Sequence, residues 1–143
     1  MLKRFVCVVG LVGALSTPAY AAEQFYECDL NAKRSLGWVS EKMGFIFDGK
    51  GGVKVVDGII LHFLEKPIAA KARKNGDNLR ITWNIPAATD RVGQKIPSMG
   101  YIATLNTKSM AVSVVAKPIS FPQRFSGKGT CKIRKNLRWV PRS

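Results

Sequence analysis

The sequence predicts an all-β domain: a small antiparallel meander of about eight strands, closed or nearly closed into a barrel, with a two-sheet sandwich as the alternative. Three observations carry this. Turn-forming residues recur at intervals of roughly ten residues, and the stretches between them are β-branched, aromatic and alternating. The hairpin around Asn75-Gly76 assigns the same face to the core from both of its strands. One cysteine lies in the first candidate strand and one in the last, so a Cys28–Cys131 disulfide would join the two ends of the meander and remove its exposed edges.

The candidate strands, in order, are FYECDL, LGWVSEKMGFIFD, VKVV, IILHFL, IAAKARK, LRITWNI, MGYIATLN, MAVSVVA and RFSGKGTCKI. DGKGG at 48–52, Asp57-Gly58, Asn75-Gly76 and Asn106-Thr107-Lys108 supply the turns. A two-residue type I′ turn at Asn75-Gly76 places Ala72 opposite Leu79, Ala70 opposite Ile81 and Ile68 opposite Trp83, all apolar. The other face pairs Lys71 with Arg80 and Arg73 with Asn78, all polar. IILHFL is ambiguous. Its β-branched content favours a strand, while Asp57 could instead cap a short helix running to Glu65, with Ile60, Leu61 and Leu64 on one face. The longest stretch without a strand pattern is 86–98, followed by KPISFP at 117–122.

Residues 1–21 read as a secretory signal: Lys3 and Arg4, an apolar run from Phe5 to about Leu15, and small residues at Ala19 and Ala21. The expected organisation is a signal peptide over 1–21, a barrel over 22–133 and a basic tail over 134–143. A periplasmic or secreted location follows, and no segment after residue 22 is long and apolar enough to span a bilayer as a helix. Cys7 leaves with the signal, and the even pair Cys28 and Cys131 in an oxidising compartment makes the disulfide the default.

Without Lys3 and Arg4 the chain has 21 basic residues against 9 acidic ones, a net charge of about +12. That balance disfavours a cationic partner and favours an anionic one: lipid head groups, lipopolysaccharide or an acidic glycan. Two basic groups stand out. Lys71, Arg73 and Arg80 share one face of the hairpin, where facing like charges repel and a bound anion would relieve them. The second group is Arg124, Lys128, Lys132, Arg134, Lys135, Arg138 and Arg142, with Leu137 and Trp139 interleaved as in segments that suit an anionic lipid interface. Nucleic-acid binding would need exposed aromatics on a basic strand face, whereas the hairpin register turns Trp83 inward, and export also argues against it.

Little in the chain suggests catalysis. His62 is the single histidine, so a multi-histidine metal site is excluded, and an enzyme would have to use this one imidazole with a nearby acid. The run FDGKGGVKVVDG lacks calcium-loop spacing and reads as turns. No cofactor or metal is expected. If the barrel were hollow, Ile60, His62, Leu64 and Trp83 would line an apolar pocket for a small carried ligand.

The pattern F-Y-x-C at Phe25, Tyr26 and Cys28, the Trp83 of ITWNI and the closing G-x-G-x-C at Gly127, Gly129 and Cys131 resemble small exported bacterial β-proteins of uncharacterised function. The layout is similar to calycin-like or lysozyme-inhibitor-like barrels bridged near their ends, over most of residues 24–133. The Ser- and Gly-rich loop before an Arg-Tyr pair that marks the lysozyme inhibitors has no counterpart, and a strongly basic chain does not suit their basic partner. The resemblance therefore implies a fold and no site residue. The expectation at this point is a non-enzymatic, envelope-associated binding protein.

Overall fold

The computed structural model describes residues 22–141, with Gly13 and Ser16 before them. Arg142 and all but two residues of the expected leader lie outside the described residues. Eight strands close into an antiparallel barrel: β1 (Gln24–Asn31), β2 (Lys42–Phe47), β3 (Val53–Asp57), β4 (Ile68–Asn75), β5 (Asn78–Ile85), β8 (Met99–Asn106), β9 (Ala111–Pro118) and β10 (Phe125–Arg134). Around the ring they run β1-β10-β9-β8-β5-β4-β3-β2. A short helix α1 (Gly58–Leu64) connects β3 to β4, and β6 (Ala88–Thr89) with β7 (Lys95–Ile96) forms a separate ribbon within 86–98.

The closing seam joins β1 to β10, with Cys28 directly opposite Cys131 and the two sulfurs bonded. Inward residues follow strict alternation. Met43, Phe45, Val55, Ile81, Ile85, Tyr101, Leu105 and Val114 are almost completely excluded from solvent. Trp83 stacks on Tyr101 with ring centroids 5.1 Å apart, and Phe45 meets Trp83 edge-on at 5.9 Å. The barrel interior is thus filled by side chains, as eight strands allow.

Of the nine candidate strands, IILHFL is the one that does not join the barrel; it forms α1. The Asp57 Oδ1 accepts the Ile60 N–H at 2.7 Å, and Glu65, in the left-handed region, ends the helix by donating to the Ile60 and Leu61 carbonyls. The apolar run could have served either structure. What decides against a strand is that β3 pairs directly with β4, Val53 opposite Ala70 and Val55 opposite Ile68, which leaves no place in the ladder for 58–64. The helix instead inserts Ile60 into the core. The long strand expected over 36–48 is also shortened to β2. Ser35, fully buried, hydrogen-bonds both the N–H and the carbonyl of Val39 through its hydroxyl, and Leu36 and Gly37 turn with positive φ.

The β4–β5 hairpin keeps the predicted faces but not the predicted register. Its two-residue loop is Gly76-Asp77, with Asn75 opposite Asn78. Gly76 has φ +60° and Asp77 is not in the left-handed region, which is the type II′ pattern; type I′ would have required positive φ at Asn75 as well. Each partner moves by two residues, so Ala72 faces Ile81, Arg73 faces Arg80, and Lys71 faces Thr82 rather than Arg80. An even shift leaves the sidedness of every residue unchanged.

The C-terminal segment is not a free tail. Arg134 is the last residue of β10, and the chain beyond it doubles back on the outer wall, where Leu137 is buried. Outward-pointing Val56 is fully buried there, and Gly44 has no side chain to obstruct the approach. A Cβ at Gly44 would collide with Leu137 Cδ1 and lie 3.1 Å from Val56 Cγ1 and 3.3 Å from Trp139 Cζ2. Gly44→Val is expected to displace this segment at a cost of about 1–3 kcal/mol. Hydrogen exchange read by mass spectrometry should show faster exchange over 135–140 with the barrel strands unchanged.

Candidate functional site

Alternation along the strands and the ladder register together lay out the outer wall of the barrel as rows. One row runs Lys71, Thr82, Ile102, Val115 and Ser126 from β4 to β10. A second, beside it, runs Arg73, Arg80, Thr104, Ser113 and Lys128. A third, on the other side, brings Asn84, Gly100 and Lys117 together. Small residues at Ala69, Ala70 and Gly100 leave a depression of about 810 Å³ over β4, β5, β8 and β9, with Ile102, Val115 and Ile119 along it and Lys71, Lys117 and Arg124 around it.

A second depression of about 460 Å³ adjoins it, sharing Ala70, Lys71 and Thr82, and is lined by Arg73 and Arg80. The two form one continuous groove. Five cations line it, and neither depression has an Asp or Glu in its lining. Among the described residues none of the five takes part in an ion pair. Arg73 and Arg80 face each other directly, an arrangement that costs stability until an anion lies between them.

The predicted basic residues therefore divide. Lys71, Arg73 and Arg80 are brought together in the groove. Lys132 and Arg134 lie on the closing seam, where Lys132 is opposite Glu27 and Arg134 Nε lies 3.6 Å from Glu27 Oε2. Lys42 adds a 3.1 Å contact to the same Glu27, so this patch is partly neutralised. β10 borders β9 at the groove's edge, but Lys132 and Arg134 lie at the opposite end of β10 from Arg124, beside β1 rather than in the groove. Lys135 and Arg138 are exposed on the doubled-back segment, outside the groove lining. Sequence reasoning placed Arg124 with the C-terminal group and did not single out Lys117; the stretch KPISFP was expected to lack a strand, but its Lys117 and Pro118 extend β9 and pair with β8, which brings Lys117 to the groove.

The four residues named for an interior pocket do not share one. Ile60 and Trp83 belong to the packed core and Leu64 is half-buried against it. His62 faces outward, its side chain 55% exposed, because the helical turn replaces the strand alternation that would have aligned it with Ile60 and Leu64. Its Nε2 lies 2.8 Å from Asp90 Oδ2, while Asp90 Oδ1 accepts the N–H groups of Val92 and Gln94. The His62 contact, followed by these backbone donors, holds the Asp90 carboxyl below its usual range. Arg91 adds a 2.6 Å contact to Glu65, so a hydrogen-bonded pair and an ion pair fasten the 86–98 excursion to the end of α1. The geometry is that of a clamp, and among the described residues no Ser, Thr or Cys side chain is hydrogen-bonded to the imidazole.

Asp57 is the other acid of note. Burial pushes its carboxyl above the usual range, opposed by the Ile60 N–H, the Ser40 hydroxyl and the Ile59 N–H. Tyr101 is raised above the ordinary tyrosine range by burial and then by the Asp57 charge, and its hydroxyl donates to the Trp38 carbonyl at 2.9 Å. Both groups serve the fold. Asp48 caps its own turn, accepting from the Lys50 and Gly52 N–H groups, which is why the glycine-rich run there is a turn. Among the described residues no group of three or more His, Cys, Asp or Glu is placed to hold a metal, and no helix is long and apolar enough to cross a membrane.

No family model, curated protein or solved structure matches this chain, and the resemblance to calycin-like and lysozyme-inhibitor-like barrels finds no support in these comparisons.

Proposed function

We propose that the protein is a non-enzymatic, exported binding protein of the cell envelope that recognises an anionic surface component through the groove over β4, β5, β8 and β9. One observation carries this reading: Lys71, Arg73, Arg80, Lys117 and Arg124 converge on a groove whose lining contains no carboxylate. Unpaired like charges held this close repel one another, and an oxyanion ligand removes that repulsion. The Cys28–Cys131 disulfide fits the oxidising compartment that export would provide. The partner is an anionic lipid head group, lipopolysaccharide or an acidic glycan, and its charge makes binding weaken with salt.

Co-sedimentation with phosphatidylglycerol-containing vesicles or lipopolysaccharide at low and high salt tests this. Each cation near an anionic lipid surface is worth about 1 kcal/mol. Arg73→Glu with Arg80→Glu is therefore expected to weaken binding by roughly 100-fold or more. Reversal of Lys135 and Arg138, outside the groove, is expected to have a much smaller effect. Salt-independent binding, or equal losses from the two pairs of reversals, would overturn the proposal.

A further inference from the structure

The five cations are not evenly spread along the groove. Lys71, Arg73 and Arg80 form one pole on β4 and β5, and Lys117 with Arg124 forms another at the end of β9 and the start of β10. Between the poles the wall is uncharged, with Thr82, Ile102 and Val115 in one cross-strand row and Asn84 and Gly100 in the next. Ile102, 36% exposed, lies with Val115 in the row between the poles, and Ile119, 61% exposed, extends this apolar surface beside Lys117.

Across the sheet β4 and β9 are three strand spacings apart, about 14 Å, and along the strands the Arg73–Arg80 row lies four residues from Lys117, about 13 Å, so the two poles are roughly 18 Å apart. That exceeds the screening length of roughly 8 Å at physiological salt, so a single anion at one pole leaves the other without a counter-charge. We infer that the groove recognises a ligand with two oxyanion groups roughly 18 Å apart, joined by an uncharged body with an apolar face. This rests on the anion-binding reading above and narrows it to a bis-anionic amphiphile. The facing guanidinium groups of Arg73 and Arg80 suit bidentate capture of one phosphate-class group. Lys117 and Arg124 hold the second, whose capture is intramolecular once the first is bound.

Titration calorimetry with three probes tests this: an alkyl monophosphonate, an alkane-α,ω-bisphosphonate too short to bridge the poles, and a long one that spans them. The long bisphosphonate is expected to bind roughly 100-fold more tightly than the monophosphonate of equal chain length. Lys117→Ala with Arg124→Ala, both at exposed positions, should reduce the long probe to the monophosphonate level, a far larger loss than for the monophosphonate itself. Affinity that ignores the second phosphonate, or an equal loss for both probes in that variant, overturns the two-pole inference. If anionic vesicles bind in a salt-sensitive way while no phosphonate does, the two-pole inference fails and the broader anion-binding reading stands. If neither binds, both fall.

Discussion

Replacing Cys28 and Cys131 together by alanine is expected to lower the free energy of unfolding by about 2–5 kcal/mol. The bridge spans 103 residues of sequence. In the chain-entropy model a closed loop of ~100 residues contributes about 4.7 kcal/mol by restricting the unfolded ensemble. The same bond fastens the two strands that close the ring, so its loss also frees the seam between β1 and β10. Equilibrium urea unfolding measures both effects. The midpoint should fall, and the dependence on urea should steepen because the unlinked chain exposes more surface when unfolded. A loss under about 1 kcal/mol would mean that the remaining ladder contacts hold the ring closed with little help from the bridge.

Gly129→Ala is expected to be the most damaging single substitution at the seam, at about 3 kcal/mol. Gly129 is paired with Leu30 on one side and Val112 on the other. A Cβ there would run into the Asp29 carbonyl oxygen and come within 2.8 Å of its carbon and 2.9 Å of the Leu30 Cα. These are backbone atoms, which cannot rotate aside as a side-chain tip can. The disulfide two residues further on prevents the strands from simply parting. At Gly127 the nearest contacts are the Val39 and Ala32 side chains at 3.1 and 3.2 Å, so Gly127→Ala should cost less. Thermal and urea unfolding of the two variants settle the order, and a Gly129→Ala protein within about 0.5 kcal/mol of wild type would show that the seam has slack.

These two positions account for the G-x-G-x-C pattern in physical terms. The cysteine joins the strands, and the glycines let the neighbouring chain come close enough for it to do so. The pattern was visible in the sequence, and so was the pairing of Cys28 with Cys131. The collision at Gly129 was not, because it depends on the register between strands at opposite ends of the chain.

The hairpin and the helix show the same boundary between local and non-local information. In IAAKARKNGDNLRITWNI the alternation identified the core face correctly, since sidedness has a period of two and survives an even shift. The turn type did not follow from Asn75-Gly76, because Gly76-Asp77 satisfies the same backbone demand with one positive φ instead of two. For 58–64 a short apolar run after Asp57 was compatible with both structures. The direct pairing of β3 with β4, rather than any propensity in the run, excluded the strand.

The candidate site divides in the same way. Lys71, Arg73 and Arg80 could be grouped from one hairpin, because turn and period are local properties. Lys117 and Arg124 could join them only once the ring order put β9 and the start of β10 across β8 from β5. Lys132 and Arg134 looked equivalent to them in a list of cations, yet closure of β1 onto β10 set Glu27 beside both.

The sequence by itself determined the strand class, the core face of the β4–β5 hairpin, the cysteine pair and the excess of positive charge, because alternation, turn chemistry and composition act over a few neighbouring residues or over the chain as a whole. Only the tertiary structure decided which charges are neutralised and which face an open groove. That outcome depends on which strands become neighbours around a closed ring, and no short stretch of residues carries that information.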